Sequence, residues 1–339
     1  MEFLLLFIIG LGFTLTVAWS LGANDAANPT QCAVGSGVIT LKKALTLFAI
    51  FVLFGALLQG SMVMKTLSKG VVPHIGFVGA LAIVVSIVLW ILLCTWKGMP
   101  ISTTHTTVGA AIGYGLIAYG GNLNWNVLSM IFLGMIFSPL IAGFLAFLLY
   151  HGFKSLFTKF SSTEKAEQVI KYLLIGSLAF CAYSFGANDV GNATGVYISV
   201  TEEFLGIPTA QTMLLLAILG SIGIALGGFT WGYRVIRTVG YEICRLTPLM
   251  GLSAGLSNAI VVWSFTTIPA LVYGWGLPIS TTHASVGSVI GVGLAMGLRT
   301  IDKKTVLKII LAWVLTLPCA ILISVGVFKI FSVLLTFMG

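Results

Sequence analysis

The sequence predicts an all-α integral membrane protein, and three observations support that fold class. Of the 339 residues, 58% are hydrophobic and only 8% are charged, whereas a soluble domain carries about 25% charged residues. The mean hydropathy is +1.09, and apolar runs recur at the ~20 residues that a membrane-spanning helix needs. The sequence has no strand-length alternation of the kind that predicts a β-barrel. Because lipid offers backbone groups no hydrogen-bond partner, helices are the expected spanning elements.

The predicted spans follow from uncharged stretches along the chain. They cover residues 3–21, 44–64, 75–96, 125–150, 204–233, 246–277 and 309–328. The first stretch follows Glu2 rather than a basic segment, so we expect a retained span and not a signal peptide. The five cysteines are scattered, with no Cys-x-x-Cys pair. They are predicted to pack as small apolar residues rather than to hold a metal.

The charged residues predict the topology. The net charge is +8, but basic residues concentrate in loops, which indicates cytoplasmic loops under the positive-inside rule rather than a nucleic-acid partner. Loop 234–245 contains three arginines, whereas the matching 65–74 stretch is much less basic. Loop 299–308 contains four basic residues, whereas its counterpart 120–122 has none. Matching loops are therefore expected on opposite sides of the membrane.

This charge asymmetry predicts two inverted-topology repeats, an organisation common in secondary transporters. The first repeat is expected at residues 1–153 and the second at residues 169–339. A short cytoplasmic linker with several lysines, residues 154–168, joins them. We expect broken or re-entrant helices within each repeat, so the predicted class is a polytopic transporter.

One phrase of each repeat contains an acidic residue. The pattern Gly22-Ala23-Asn24-Asp25-Ala26-Ala27-Asn28 recurs as Gly186-Ala187-Asn188-Asp189-Val190-Gly191-Asn192. An aspartate near a helix centre in the membrane costs about 2.5–3.5 kcal/mol, so it normally marks an ion site or pathway. Asp25 and Asp189 are the acids that lie in apolar sequence. The alternative without a ligand is a carboxylate that caps a broken helix.

The same phrase predicts a cation site. Gly22 and Gly186 are expected to let the backbone unwind before each aspartate. Free carbonyls, the two carboxylates and amide oxygens would then form a hard, oxygen-rich cage suited to Na⁺. The neighbouring amides are those of Asn24, Asn28, Asn188 and Asn192. A proton carried by an aspartate is the alternative coupling ion.

A second phrase predicts an anion site. Pro100-Ile101-Ser102-Thr103-Thr104-His105 recurs as Pro278-Ile279-Ser280-Thr281-Thr282-His283. The prolines are expected at the first helical position, and the hydroxyls with free backbone amides at a helix N-terminus favour an anion. Two such termini would surround a tetrahedral oxyanion, whose charge co-transported cations balance. The alternative is a pair of ordinary helix N-caps.

Three further polar residues have weaker predicted roles. His105 and His283 either relay protons or bind a metal, or they pack to hold the helix starts, and we favour packing. Gln31 is expected to join helices by hydrogen bonds and is a weaker site candidate.

These motifs resemble the inorganic phosphate transporter (PiT) family. The resemblance rests on Gly-Ala-Asn-Asp in both halves and on the repeated Pro-Ile-Ser-Thr-Thr-His, so it covers nearly the whole chain. It implies a symporter of inorganic phosphate with Na⁺ or, in some bacterial members, H⁺. By motif match, Asp25 and Asp189 would bind the cation; the adjacent amides of Asn24 and Asn188 complete the cation set predicted from the phrase itself. The resemblance implies a phosphate-binding set of Ser102, Thr103, Thr104, Ser280, Thr281, Thr282, Asn28 and Asn192.

Several alternatives remain open at this stage. A sulfate or other oxyanion permease would share the fold, and so would a proton-coupled phosphate carrier. Two intramembrane aspartates could also form the dyad of an aspartyl enzyme, but their near-identical phrases argue against unlike acid and base roles. Nothing in the sequence resembles the filter repeat of a channel.

We expect a multi-pass protein of a prokaryotic cytoplasmic membrane, without a prosthetic group. Flanking helices could pair, so the sequence allows a homodimer.

Overall fold

The computed structural model describes residues 2–159, 163–205 and 210–338, with the side chains of residues 2–8, 65, 67–70, 196, 198–205 and 335–338 left aside. Part of the predicted linker, residues 160–162, lies outside the described residues, as do residues 206–209 of the predicted span 204–233. Helices extend into both ends of the predicted linker, since one helix continues to Phe157 and the next begins at Thr163.

The described residues form thirteen α-helices joined by short connections. Their bounds are α1 Glu2–Asp25, α2 Ala27–Gly35, α3 Leu41–Gln59, α4 Ser61–Gly70, α5 Phe77–Trp96, α6 Thr103–Ala118, α7 Trp125–Phe157, α8 Thr163–Leu205, α9 Ala210–Trp231, α10 Tyr233–Arg237, α11 Pro248–Tyr273, α12 Thr281–Met296 and α13 Lys303–Met338. A π-helical turn, Thr238–Glu242, follows α10, and a 3₁₀ turn, Leu298–Thr300, precedes α13.

The predicted class of a polytopic helical membrane protein is confirmed. Among the described residues, seven helices are long and apolar enough to cross a membrane, judged by length and composition. They are α3, α5, α7, α8, α9, α11 and α13. Large apolar side chains point outward, as on α7, where Leu140 is 63% and Phe144 is 65% exposed. Such a surface fits a lipid solvent and not water.

Two helices that begin in the Ser-Thr-Thr phrases are shorter. Helices α6 and α12 have 16 residues each, which gives a length of ~24 Å at 1.5 Å per residue. The hydrocarbon core is about 30 Å thick. Neither helix is long enough to cross it alone, and non-helical segments 97–102 and 274–280 lead into them.

The packing of the helices crosses between the two halves of the chain. Helix α1 packs against α9, while α8 packs against α3. Likewise α6 packs against α13, while α12 packs against α7. Each half therefore buries its helices largely against elements of the other half, and the halves are interleaved rather than set side by side.

The expectation that the backbone unwinds at Gly22 and Gly186 is wrong. Helix α1 runs through Gly22 to Asp25, and α8 continues through Gly186 and Asp189 without interruption. Even Ala26, between α1 and α2, has helical dihedral angles and donates its N–H to the carbonyl of Gly22. The predicted cage of unwound carbonyls is therefore not formed.

Close helix contact explains these glycines instead. A Cβ atom on Gly22 would lie 1.9 Å from the carbonyl oxygen of Ile224 in α9, and one on Gly186 would lie 2.1 Å from that of Val52 in α3. Only glycine lets two backbones approach so closely, as is common where membrane helices pack. The two glycines thus hold α1 and α8 against helices of the opposite half, one turn before each aspartate.

Candidate functional site

The Ser-Thr-Thr phrases supply the first turns of α6 and α12. Ser102 and Ser280 are the N-caps, and their hydroxyl oxygens accept the backbone N–H groups of His105 and His283 at 3.1 Å each. This satisfies one free amide of each helix start. Each capping hydroxyl keeps its own O–H for another acceptor.

The predicted position of the prolines is wrong. Pro100 and Pro278 lie before the helices, which begin at Thr103 and Thr281, rather than at the first helical position. Asn24 binds the backbone of the non-helical segment around Pro100. The side chain of Asn24 accepts the N–H of Ile101 at 3.2 Å and donates to the carbonyl oxygen of Met99 at 3.0 Å.

Asn24 and Asn188 make equivalent hydrogen bonds in the two halves. Asn24 Nδ2 also donates to Thr95 Oγ1 at 2.9 Å. Asn188 Nδ2 donates to Thr266 Oγ1 at 2.7 Å and to the carbonyl oxygen of Leu277 at 3.2 Å. Each amide thereby ties an aspartate-bearing helix to the segment that leads into the short helix of the same half.

Asp25 lies fully buried where the two halves meet. Its Oδ2 atom accepts the hydroxyl of Thr103 at 2.6 Å, and its Oδ1 atom accepts the hydroxyl of Thr282 at 3.0 Å. One donor comes from each copy of the Ser-Thr-Thr phrase. A single carboxylate thus joins both short helices at their first turns.

The second aspartate is bound differently. Asp189 Oδ1 accepts Asn192 Nδ2 at 3.0 Å, whereas Asp189 Oδ2 is buried and has no hydrogen-bond partner. Asp189 and Asp25 are close enough to interact electrostatically, and Thr103 and Thr281 lie beside Asp189. The two carboxylates therefore share one polar centre but differ in how well they are satisfied.

Two asparagines connect the copies across the centre. Asn28 Nδ2 donates to Thr282 Oγ1 at 3.0 Å and to Thr281 Oγ1 at 3.2 Å, both in the other half. Asn192 Nδ2 donates to Thr104 Oγ1 at 3.0 Å, again in the other half. The four repeated phrases, which the sequence places far apart, are brought together in this cluster.

Acceptor oxygens without partners are concentrated in the same region. Among the described residues, those fully buried and without a hydrogen bond include Asn28 Oδ1, Asn188 Oδ1, Asp189 Oδ2 and Asn192 Oδ1. Leaving a buried polar atom unpaired costs about 1–3 kcal/mol. Atoms of this kind attract positively charged or donating groups, so the cluster is suited to a hard cation.

Sequence reasoning undervalued a neighbouring polar group. Gln31 Nε2 donates to the hydroxyl of Ser285, which itself donates to the carbonyl oxygen of Asn28 at 3.1 Å. Asn258 Nδ2 donates to that same carbonyl at 3.1 Å. The signal in the sequence that could have identified Asn258 is a polar side chain within an uncharged stretch. Because it belongs to no repeated phrase, it was not singled out.

The two histidines pack against each other beside this centre. The ring centroids of His105 and His283 are 4.7 Å apart, and His283 Nδ1 lies 3.1 Å from the carbonyl oxygen of Met135. The Trp313 ring lies 3.9 Å from that of His283, and Trp313 Nε1 donates to the carbonyl oxygen of Pro100 at 3.1 Å. These contacts fit the packing role that the sequence favoured, and Trp313 is a residue that sequence reasoning missed.

Comparison with known proteins shows similarity over nearly the whole chain. Residues 21–324 match the family model described as the phosphate transporter family. Two archaeal relatives carry the provisional name of phosphate permease. The one from Thermococcus kodakarensis is 32% identical, over 97% of this chain and 98% of its own length. The one from Pyrococcus abyssi is 33% identical, over 96% of this chain and 97% of its own length.

Two proteins of lower sequence identity are also similar over nearly the whole chain. The chloroplastic inorganic phosphate transporter 2-1 of Arabidopsis thaliana is 27% identical, over 96% of this chain and 72% of its own length. A solved structure entitled the sodium-dependent phosphate transporter superposes with a TM-score of 0.84 at 28% identity, covering 97% of this chain and 99% of that chain. The family match spans most of the sequence and both halves of the site. The chain therefore belongs to the phosphate transporter family and is a membrane transporter rather than an enzyme.

Proposed function

We propose that this protein is a Na⁺-coupled symporter of inorganic phosphate in a prokaryotic cytoplasmic membrane. The observation that supports it most directly is the buried centre, in which the hydroxyls of both Ser-Thr-Thr phrases meet both aspartates. The similarity to a structure entitled a sodium-dependent phosphate transporter favours Na⁺ as the coupling ion.

Phosphate would bind at the facing starts of α6 and α12. Ser102, Thr103, Thr104, Ser280, Thr281, Thr282, Asn28 and Asn192 provide hydroxyl and amide donors there. Helix N-termini add free backbone N–H groups and a favourable dipole for an anion. Because this set has no lysine or arginine, the negative charge of phosphate needs the cations for its balance.

The cations would bind at Asp25 and Asp189. Asn188 Oδ1, which accepts no hydrogen bond, is available to the second site. Asn24 Oδ1 already accepts the N–H of Ile101, so it would share its remaining lone pair with a cation while it positions the segment before α6.

The hydrogen bonds of Asp25 suggest how the two ligands are coupled. Its carboxylate now accepts the hydroxyls of Thr103 and Thr282. A cation that binds the carboxylate competes for those lone pairs and releases the two hydroxyls to donate to phosphate. By thermodynamic linkage, phosphate then raises the affinity for the cation by the same factor.

The architecture proposed for this mechanism is a pair of inverted repeats, residues 1–153 and 169–339, joined by the linker 154–168. The helices correspond in order: α1 with α2 match α8, and α3, α5, α6 and α7 match α9, α11, α12 and α13. Equivalent contacts occur in both halves, including those between each asparagine and a buried threonine. The charge difference between matching loops supports opposite orientations.

Ion replacement tests the coupling. In proteoliposomes of the purified protein, uptake of labelled phosphate is expected to require an inward Na⁺ gradient and to be lost when choline replaces Na⁺. A pH gradient without Na⁺ should not restore it, and excess unlabelled sulfate should not compete. Uptake that persists in choline and follows the pH gradient would reject Na⁺ coupling, and strong competition by sulfate would reject phosphate as the preferred substrate.

Replacing Thr282 with valine is expected to weaken phosphate binding. Valine keeps the shape of the side chain but removes the hydroxyl that lies between Asn28 and Asp25. Loss of one buried hydrogen-bonding group costs about 1–3 kcal/mol, which corresponds to roughly a 5- to 150-fold rise in the phosphate concentration for half-maximal uptake. Thr104→Val should act in the same direction, because Thr104 Oγ1 accepts Asn192 Nδ2.

Thr106→Val is the matched control. Thr106 is also buried at the start of α6, but its hydroxyl donates to the carbonyl oxygen of Ser102 within the same helix. Half-saturation by phosphate, measured at saturating Na⁺, should be nearly unchanged in this variant. If all three variants have the same half-saturation as the parent protein, Thr104 and Thr282 do not belong to the phosphate site.

A further inference from the structure

An apolar crevice at the surface of the protein lies between α7, α12 and α13. Its volume is about 580 Å³, within the range of small-molecule sites. The lining is apolar and includes Leu140, Phe147, Ile290, Leu294, Ile310 and Trp313. Leu140 and Phe144, at the rim, are 63% and 65% exposed to the surroundings of the protein.

The crevice exists because α7 and α12 touch through glycines. A Cβ atom on Gly291 would lie 2.0 Å from the carbonyl oxygen of Gly143, and one on Gly287 would lie 2.4 Å from that of Pro139. Small residues let the two backbones meet, but they leave no side chains to fill the groove beside the contact. The groove is therefore part of the helix packing.

Basic residues lie about 10 Å beyond one end of the crevice, measured along the helices that line it. Lys154 follows Phe147 by seven residues on α7, and Lys303 precedes Ile310 by seven residues on α13. Seven residues are nearly two helical turns, so each lysine lies on the crevice-lining face of its helix. Arg299, in the turn after α12, is at the same end, and all three side chains are exposed. The acidic residue nearby in sequence, Asp302, caps the start of α13 by accepting the N–H of Thr305 at 2.7 Å.

We propose that this crevice binds an anionic phospholipid, with an acyl chain in the groove and the headgroup beside Lys154, Arg299 and Lys303. The groove extends ~12 Å along α7 from Pro139 to Phe147, and Lys154 lies ~10 Å beyond Phe147. An acyl chain whose headgroup meets Lys154 therefore reaches the Phe147 end of the groove within the ~15 Å depth of one leaflet. The basic end lies on the side that we assign to the cytoplasm, where anionic lipids attract clustered basic residues.

The lipid would contact the transport site through one side chain. Trp313 forms part of the crevice wall, and its ring also lies 3.9 Å from His283, which follows the Ser-Thr-Thr phrase of α12. Its Nε1–H donates to the carbonyl oxygen of Pro100, just before the other phrase. An acyl chain packed on Trp313 therefore supports the contacts that hold the starts of both short helices.

Quenching of Trp313 by lipids with brominated chains tests the proposal without relying on transport. The Trp313 signal is the difference in fluorescence between the parent protein and the Trp313→Phe variant in vesicles. Brominated phosphatidylglycerol should quench it at lower mole fractions than brominated phosphatidylcholine. Lys154→Gln with Lys303→Gln should reduce this preference by about fivefold per lysine. Lys42→Gln with Lys43→Gln, an equal charge change at the start of α3, should leave the preference intact.

A second pair of substitutions fills the crevice. Ile290→Phe with Leu294→Phe should abolish the selective quenching of Trp313 while the protein remains folded by size-exclusion chromatography. Equal quenching by both lipids, or a preference that survives filling or charge removal, would overturn the proposal. It would also be overturned if neither lipid quenches Trp313 and the filled variant changes from dimer to monomer, because a second copy of the chain would then cover the crevice.

Discussion

Replacing Asp25 with asparagine is expected to abolish Na⁺-driven phosphate uptake. The carboxylate accepts hydroxyls from both Ser-Thr-Thr phrases, at 2.6 and 3.0 Å. An asparagine presents an NH₂ group to one of these hydroxyls and removes the negative charge that a cation needs. A carboxylate attracts a cation ~4 Å away by about 4 kcal/mol at an effective dielectric constant of about 20, so losing this charge predicts at least a ~100-fold fall in the initial rate of uptake into proteoliposomes.

Asp189→Asn distinguishes the two carboxylates. Asp189 Oδ2 has no hydrogen-bond partner in the protein. We therefore expect removal of the Asp189 charge to weaken mainly the binding of the cation, which raises the Na⁺ concentration for half-maximal uptake. The control for both is Asp302→Asn, the same chemical change at an exposed helix start, which should keep near-parental uptake. Normal Na⁺ dependence and full-rate uptake in both intramembrane variants would remove the aspartates from the cation sites.

Gly186→Ala is expected to be severely destabilising although it adds a single methyl group. The new Cβ atom would lie 2.1 Å from the carbonyl oxygen of Val52, so α8 and α3 would have to separate. Overpacking of a tight core costs about 1–3 kcal/mol and sometimes more, and contact with rigid backbone places this variant at the upper end. We expect a much lower midpoint of thermal unfolding in detergent, with a reduced yield of folded protein.

Gly176→Ala, in the same helix, is the matched control. A Cβ atom there meets no atom within 4 Å, and alanine favours helix over glycine by up to ~1 kcal/mol. This variant should be as stable as the parent protein or slightly more stable. Equal unfolding midpoints for the two variants would show that close contact between α8 and α3 is not required.

The sequence predicted the fold class and the meeting of the repeated phrases, but not the local backbone. Low charge and long apolar runs depend on the lipid environment alone, so composition was sufficient for the class. Gly22 and Gly186 were taken for flexible points, although both are helical. A glycine in a sequence signals either an unusual backbone angle or a close contact. Only the partner, here the carbonyl of Ile224 or Val52, decides between the two.

The candidate site residues were singled out through repetition, and the limits of that signal are visible. Asp25 and Thr282 stood out because their phrases occur twice, and the structure joins them by a hydrogen bond. Asn258 and Trp313 contact the same region, yet neither belongs to a repeated phrase. Their roles depend on partners far away in the chain, which composition and spacing do not specify. The ligand assignments themselves stay predictions.

The crossed packing of the helices has a consequence for biosynthesis. Helix α1 packs against α9, and the ribosome makes 184 residues between Asp25 and Ala210. At a synthesis rate of ~5–20 residues per second, α9 is made roughly ten seconds or longer after α1. During that time the polar phrase of α1 has first-half partners such as Thr95 and Thr103, but lacks Thr282. A polypeptide truncated after α7 would contain every first-half motif and still lack the surfaces that bury them.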